Sequence, residues 1–375
     1  MIRVLHLFDA SAGWEHRLAI QELLDRLPAD RIESQLATID PVARTRVARP
    51  TQRFTLFPRR FRPDSVYAAP RLRRHLDAHD IDIVHAWGLQ AAKVAEAAAS
   101  ASARPVPLTL FHPARTRREA DFLRSLPPTD RRPVLCASRT VRRRLLQSGL
   151  PPDRCLVVRP GVDADRIRHA QESDLRTRLG IAPEGVLAVT PEPVTRHAGN
   201  FAAFWMTAIR SFLDPGIRVA LPGASPEKDR LRRLARQLGM TRILLDTDES
   251  VPYPDLVAVA DLAVVAPTVD ISAGALAWAM AAGVPILGTA VDCVAELIGE
   301  NRNGRLVAPA PAKRLATHLA RLAGEPEGLR RLAEVARRDA AELFSVRRYV
   351  DQVCRLYENL TQGRLAADGI HDPEP

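Results

Sequence analysis

The stretch "VDISAGALAWAMAAGVPILG", residues 269–288, decides how the second half of this sequence is interpreted. Its centre predicts an alanine-rich helix, because Ser272 is a favourable N-cap, Gly283 suits a left-handed helix end and Pro285 prevents continuation. The letters "VPILG" then predict a short buried strand. A loop, a helix start and a strand in this order are typical of parallel sheets that hold an anionic ligand on free backbone amides.

Working outward, strand and helix patterns alternate along both halves of the chain. "IRVLHLF", "IDIVHAW" and "LAVVAP" read as buried strands, whereas "HRLAIQELLDRL" and "SPEKDRLRRLARQLG" have the apolar spacing of amphipathic helices. This alternation predicts an α/β fold with two doubly wound, Rossmann-like domains. We expect domains at 1–164 and 165–345, a long amphipathic helix at 346–362, and a disordered polar tail at 363–375.

The composition is that of an ordinary globular protein, with 26% charged and 46% hydrophobic residues among 375. No apolar run approaches the roughly 18 residues that a membrane span needs, and the first residues read as a strand and not as a signal peptide. The four cysteines lie far apart without a CxxC pair, which predicts reduced structural thiols in a cytoplasmic protein.

The net charge is +10, and one segment, residues 44–74, concentrates it. This basic segment has ten arginines and a single acid, Asp64, with aromatic residues interleaved. Three interpretations stay open: a solvated loop, contact with an anionic membrane surface or a phosphorylated acceptor, and nucleic-acid binding. Nucleic acid is the least expected, because no nucleic-acid-binding module accompanies the segment.

Several segments, taken together, resemble the GT-B glycosyltransferases and, within them, the retaining family 4. "DIVHAWG", "LTLFH", "VVRPGVDADRI" and the block from "AWAMAAGVPILG" to "GRLVAP" are similar to that family's motifs in the same order. "FSVRRYVDQVCRLY" resembles its closing helix. The resemblance implies two Rossmann-like domains facing across a cleft, with the C-terminal helix crossing back to the first domain.

The resemblance also implies a function. The expected reaction moves a hexosyl group from a nucleotide-sugar to a lipid or cell-envelope glycan, with retention of configuration. Neither a metal nor another cofactor is expected, because cations and helix amides hold the diphosphate in this family. The expected location is cytoplasmic, with peripheral contact at the inner face of the membrane through the basic segment. The alternative is a non-catalytic relative that acts as a binding or partner protein.

The donor-side motifs of the family are only partly kept. Its E-x7-E pair falls on Asp270 and Trp278. Asp270 is implied to contact the donor sugar. At Trp278 the indole can only donate a hydrogen bond, whereas the family's carboxylate accepts hydrogen bonds from the ribose hydroxyls. A packed core aromatic is the other interpretation of Trp278. In the phosphate loop, Pro191 stands where the family has an arginine, and Arg196 stands where it has a lysine.

The remaining site residues follow from the same resemblance. His112 is implied to contact the transferring sugar, so that His112 and Asp270 are the predicted catalytic residues. Gly13 is the glycine kept in the acceptor-side first turn, and His85 is expected to be structural. The predicted donor-binding residues are Arg196, the helix start at Ser272, Ala273, Gly274 and Ala275, which offers backbone amides, and the acid Glu296.

Overall fold

The chain divides into two compact units. A computed structural model describes residues 1–8, 14–39, 53–55, 65–99, 104–111, 117–125, 132–191, 199–223, 225–247, 251–267 and 272–372. The first unit comprises Met1–Gly161 together with Ser345–Glu374, and the second comprises Val162–Phe344. The first unit is therefore assembled from both ends of the chain.

Each unit contains one parallel sheet. The strands are β1 Ile2–Phe8, β2 Ile32–Thr38, β3 Arg53–Thr55, β4 Ile83–Trp87, β5 Leu108–Leu110, β6 Val134–Cys136, β7 Cys155–Val157, β8 Leu187–Val189, β9 Arg218–Leu221, β10 Leu244–Asp246, β11 Leu262–Val265, β12 Ile286–Thr289 and β13 Arg305–Val307. The first sheet has the order β3-β2-β1-β4-β5-β6-β7 and the second the order β10-β9-β8-β11-β12-β13. The predicted α/β fold with two doubly wound sheets is confirmed.

Helices connect these strands. They are α1 Trp14–Leu24, α2 Ser65–Ala78, α3 Leu89–Ala99, α4 Arg117–Ser125, α5 Arg139–Gln147, α6 Ala164–Gln171, α7 Leu175–Arg178, α8 Asn200–Arg210, α9 Pro226–Gln237, α10 Tyr253–Ala258, α11 Ala273–Ala282, α12 Asp292–Leu297, α13 Ala312–Leu322, α14 Pro326–Leu343 and α15 Val346–Gln362. Over the described stretches, no helix is both long and apolar enough to cross a bilayer. All four cysteines are buried, and none of them forms a disulfide.

The central strands are apolar without alternation, because helices cover both faces of a doubly wound sheet. All five residues of β4 and all four of β11 are buried. Helix α11, in the stretch that opened the sequence analysis, is also apolar all round, and every side chain in it except Ala281 is buried. The Ser272 hydroxyl accepts the Gly274 N–H at 3.0 Å, and Gly283 ends the helix with a φ of 66°. Both predicted caps are confirmed.

A buried polar network joins α15 to the first sheet. His85 on β4 hydrogen-bonds the Tyr357 hydroxyl through Nδ1 at 2.6 Å and Thr109 through Nε2 at 2.7 Å. Trp87 Nε1 donates to His6 Nδ1 at 3.2 Å, and His6 lies directly beside His85 in the register of β1 and β4. Burial lowers the pKa of His6 to about 3 and that of His85 well below its ordinary value. Both imidazoles are therefore neutral.

The tail after α15 is ordered where the structure describes it. The expected disorder beyond Gln362 is wrong for residues 363–372, which pack on the first unit. Asp372 accepts from Arg159 Nε at 2.6 Å, and Ile370 packs against the apolar core. Gln352 Nε2 also donates to the His371 carbonyl at 2.6 Å. The polar composition of the tail suggested disorder, whereas apolar contacts, an ion pair and hydrogen bonds to its backbone hold it in place.

Acid should destabilise the first unit through its two buried imidazoles. Each is neutral when folded, whereas in the unfolded chain each titrates near 6.5. The unfolded chain therefore binds more protons, and the free energy of unfolding should fall from about pH 6.5 towards pH 3. The expected slope is up to about 1.4 kcal/mol per pH unit for each imidazole, measured by denaturant titration at several pH values.

A pair of variants isolates this effect. His6→Asn keeps an acceptor near Nδ1 for Trp87 but does not titrate, so its slope should be smaller. His318→Asn, on the exposed side of α13, should leave the slope unchanged. Equal slopes in the His6→Asn variant and the wild-type protein would contradict the assignment.

Asp372→Asn should detach the tail. The Arg159 side chain is 2% exposed and is paired with Asp372, so removing the carboxylate charge leaves a buried cation less compensated. We expect a loss of about 3 kcal/mol in the free energy of unfolding. Asp368→Asn, at an exposed position of the same tail, is the matched control and should change stability little. Chemical denaturation of both variants measures the difference.

Candidate functional site

The second sheet has a switch point between β8 and β11. From β8 the chain builds outward through β9 and β10, whereas from β11 it builds the other way through β12 and β13. The chain therefore leaves two adjacent strand ends in different directions, towards α8 and towards α11. In open α/β sheets, ligands bind outside the carboxyl ends of the strands at such a point.

The start of α8 is held against the end of β11. Gly199 is its N-cap, with a φ of 80°, and a Cβ built there would lie 2.0 Å from the Ala266 carbonyl oxygen. Asn200 Nδ2 donates to Thr190 Oγ1 at 2.8 Å, which ties the helix start to the end of β8. Only glycine fits this approach. Sequence reasoning missed the packing role of Gly199, although the place of this glycine directly before a helix was an available signal.

The start of α11 is capped within the chain. Ser272 is 3% exposed, and its hydroxyl already accepts the Gly274 N–H. Ala273 and Ala275 are buried as well. The structure therefore brings the four predicted residues of this helix start together directly after the β11 loop, with one of their amides bound to the cap. Their role towards a donor stays a prediction.

Trp278 is packed as a core aromatic. It is 3% exposed, and the Arg166 guanidinium of α6 lies 5.9 Å from its ring centroid. Arg166 Nε donates to Asp255 Oδ1 at 2.8 Å, and the Tyr253 hydroxyl donates to the Ala275 carbonyl at 3.1 Å. Trp278 therefore belongs to a layer formed by α6, α10 and α11. A carboxylate that could accept ribose hydroxyls is missing at this position.

The turn after α12 is a structural feature. Asn303 is fully buried; its Oδ1 accepts the Gly299 N–H at 2.8 Å and its Nδ2 donates to Asp339 Oδ2 at 2.6 Å. These bonds hold the turn against α14, and the dipeptide Asn303-Gly304 is typical of a tight turn. Glu296, the predicted donor-side acid, is half-buried on α12.

Four predicted site residues lie outside the described residues: Gly13, His112, Arg196 and Asp270. In the chain they belong to segments that follow β1, β5, β8 and β11, respectively. Each segment begins at the carboxyl end of a strand, where a ligand site is expected. The roles of all four stay predictions.

The first sheet has a corresponding switch point between β1 and β4. Gly88, with a φ of 91°, follows β4 and donates its N–H to the Thr109 carbonyl at 3.2 Å, so that α3 starts at this edge. His85 points into the core network described above, which agrees with its expected structural role. Sequence reasoning missed His6, although a histidine inside an apolar strand pattern was a signal for it. No cluster of metal-ligating side chains occurs within the part of the chain described here.

Comparison with known proteins identifies both halves of the chain. The family model Glycosyltransferase Family 4 matches residues 17–166, and the model Glycosyl transferases group 1 matches residues 202–339. Together these ranges include most of both sheets.

Two curated relatives are similar over part of the chain. D-inositol 3-phosphate glycosyltransferase 2 of Catenulispora acidiphila is 29% identical over 206 residues, which are 52% of this chain and 48% of the relative. MMP alpha-(1->4)-mannosyltransferase of Mycolicibacterium hassiacum is 38% identical over 90 residues, which are 24% of this chain and 22% of the relative. The chain thus spans about half the length of the first of these relatives and less of the second.

Solved structures share the fold. Anabaena HepE in complex with UDP-glucose aligns with a TM-score of 0.77 at 17% identity, covering 96% of this chain and all of HepE. WaaG, a glycosyltransferase involved in lipopolysaccharide biosynthesis, aligns with a TM-score of 0.70 at 18% identity, covering 98% of this chain and 99% of WaaG. With both halves matched by glycosyltransferase family models and the two-sheet architecture shared with these enzymes, the chain belongs to the GT-B glycosyltransferases, in the family 4 group.

Proposed function

We propose that this protein transfers a hexosyl group from a nucleotide-sugar to a lipid or cell-envelope glycan, with retention of configuration. The observation that carries the proposal is the close approach of Gly199 to Ala266 at the switch point of the second sheet. This contact places a helix amino end beside the carboxyl ends of β8 and β11. Backbone amides and the positive end of the helix dipole there favour a diphosphate.

The donor is bound by the second unit in this proposal. The amides at the starts of α8 and α11 face the diphosphate, and Arg196, which lies between β8 and α8 in the chain, supplies a cation. Asp270 and His112 contact the transferred sugar. UDP-glucose is the first donor to test, because HepE, which shares the fold, was crystallised with it. Helix amides and arginine replace a metal ion in this arrangement, so no cofactor is required.

The acceptor is bound by the first unit in this proposal. Named relatives act in inositol phosphate glycosylation and in lipopolysaccharide biosynthesis, which supports a phosphorylated or glycan acceptor. The basic segment 44–74 carries ten arginines and suits an anionic surface. We therefore place the reaction in the cytoplasm, at the inner face of the membrane.

One observation favours a second candidate function. Trp278 is packed in the core where the family has a ribose-binding carboxylate, and Pro191 replaces a phosphate-binding arginine. A hydrogen bond to a charged group is worth about 1.5–3 kcal/mol, so the loss of two such anchors weakens donor binding considerably. A non-catalytic GT-B relative that binds a partner would tolerate both changes.

Donor binding separates the two candidates. Titration calorimetry with UDP, GDP and UDP-glucose should give a dissociation constant of about 1 mM or tighter for one of them, equivalent to about −4 kcal/mol. The affinity should persist in excess EDTA, because amides and arginine hold the diphosphate. The bound nucleotide should also raise the unfolding temperature by mass action. The absence of binding by all three would favour the non-catalytic candidate.

Gly199→Ala should impair the donor site beyond its effect on the backbone. The Cβ of an alanine at position 199 would overlap the Ala266 carbonyl and displace the start of α8. Gly239→Ala is the matched control, because Gly239 also has a positive φ, 66°, but has no atom within 4 Å of a new Cβ. The control should lose about 1–2 kcal/mol of stability with unchanged UDP affinity. Gly199→Ala should lose more stability and at least about tenfold in affinity, since a lost phosphate contact costs this much.

A further inference from the structure

A cavity of about 580 Å³ lies beside β7, at the edge of the first sheet. Strands β5 and β6 separate it from the switch point between β1 and β4. Its walls come from α5, from β7 and from the tail that follows α15. Ligand pockets in proteins typically enclose about 300–1,000 Å³, so this cavity has the size of a small-molecule site.

Three arginines of α5 give the cavity its charge. Arg142 and Arg143 come three and four residues after Arg139, so the three side chains share one side of the helix. Asp372 is the acid among the lining residues, and its carboxylate accepts from both Arg139 and Arg159. The lining thus contains three guanidinium groups and one carboxylate, and it favours an anion.

Arg142 is already oriented. Its Nε donates to the Cys155 carbonyl at 2.9 Å, which holds the side chain against the edge of β7. Within the described residues, this is the hydrogen bond that the structure gives the Arg142 side chain, so the terminal nitrogens of its planar fork remain available. An arginine held in this way loses little conformational entropy when it binds an oxyanion.

Apolar side chains also line the cavity. They are Leu146, Leu156, Val157 and Ile370. Of these, Ile370 belongs to the ordered tail, so the cavity depends on tail docking. A lining that combines an arginine cluster with aliphatic side chains matches a ligand that carries both a phosphate and a small apolar group.

We propose that this cavity binds a ligand of that chemistry, a phosphate monoester or diester with a small apolar portion. Arginine forks fit phosphate oxygens in pairs, which selects phosphate over a single-point anion. The site lies on the first unit, whereas the proposed donor site lies on the second. Both a soluble phosphate ester and the headgroup of an anionic lipid have this chemistry.

Phenyl phosphate is the probe for the soluble source, with phenol as its uncharged match. Calorimetry on the full chain should detect phenyl phosphate and not phenol, with affinity falling as salt rises. Arg142→Gln combined with Arg143→Gln should weaken binding at least about tenfold, because charge-assisted contacts to the phosphate are lost. Arg233→Gln, which removes one exposed arginine from α9 of the second unit, should not.

Vesicles identify the lipid source. Sedimentation with phosphatidylglycerol vesicles that is lost in the double variant, against phosphatidylcholine as control, would assign the headgroup as ligand. Binding of either probe that the double variant leaves unchanged would overturn the proposal, and so would the failure of both probes to bind. UDP binding, measured in parallel, reports on the donor site alone and should be the same in the double variant as in the wild-type protein.

Discussion

The second unit depends on a backbone contact that only glycine allows. Gly199 brings the start of α8 against the Ala266 carbonyl, so two strand ends and one helix start meet without an intervening side chain. Thr190 and Asn200 fix the same point from the side of β8. The carboxyl ends of β8 and β11, which are paired in parallel, therefore lie beside this helix start. The geometry that favours an anion there follows from the strand order of the sheet and from the absence of a Cβ atom at Gly199.

Local signals allowed most of the fold to be predicted. The caps of α11 could be read from Ser272 and Gly283, because capping depends on residues that are neighbours in sequence. The strand-helix alternation gave the two doubly wound sheets for a similar reason, since buried parallel strands are continuously apolar. The Asn303 turn was also predictable from its dipeptide.

Features that depend on distant parts of the chain could not be predicted in the same way. The steric demand at Gly199 comes from Ala266, and the order of the tail comes from the pairing of Asp372 with Arg159. The family resemblance assigned Trp278 to a site position, but its burial against Arg166 is set by the packing of three helices. Pattern reasoning locates elements well, whereas side-chain environments require the assembled chain.

The two-segment construction of the first unit has a consequence for biosynthesis. Its core combines Val4, Phe8 and Ile20 with Val353 and Leu360 of α15, which are synthesised after the whole second unit. The apolar surface that α15 covers stays exposed until α15 emerges, whereas the second unit is fully synthesised before that point. Premature termination near residue 345 would therefore yield a chain whose second unit can fold and whose first unit exposes an apolar surface that chaperones can bind.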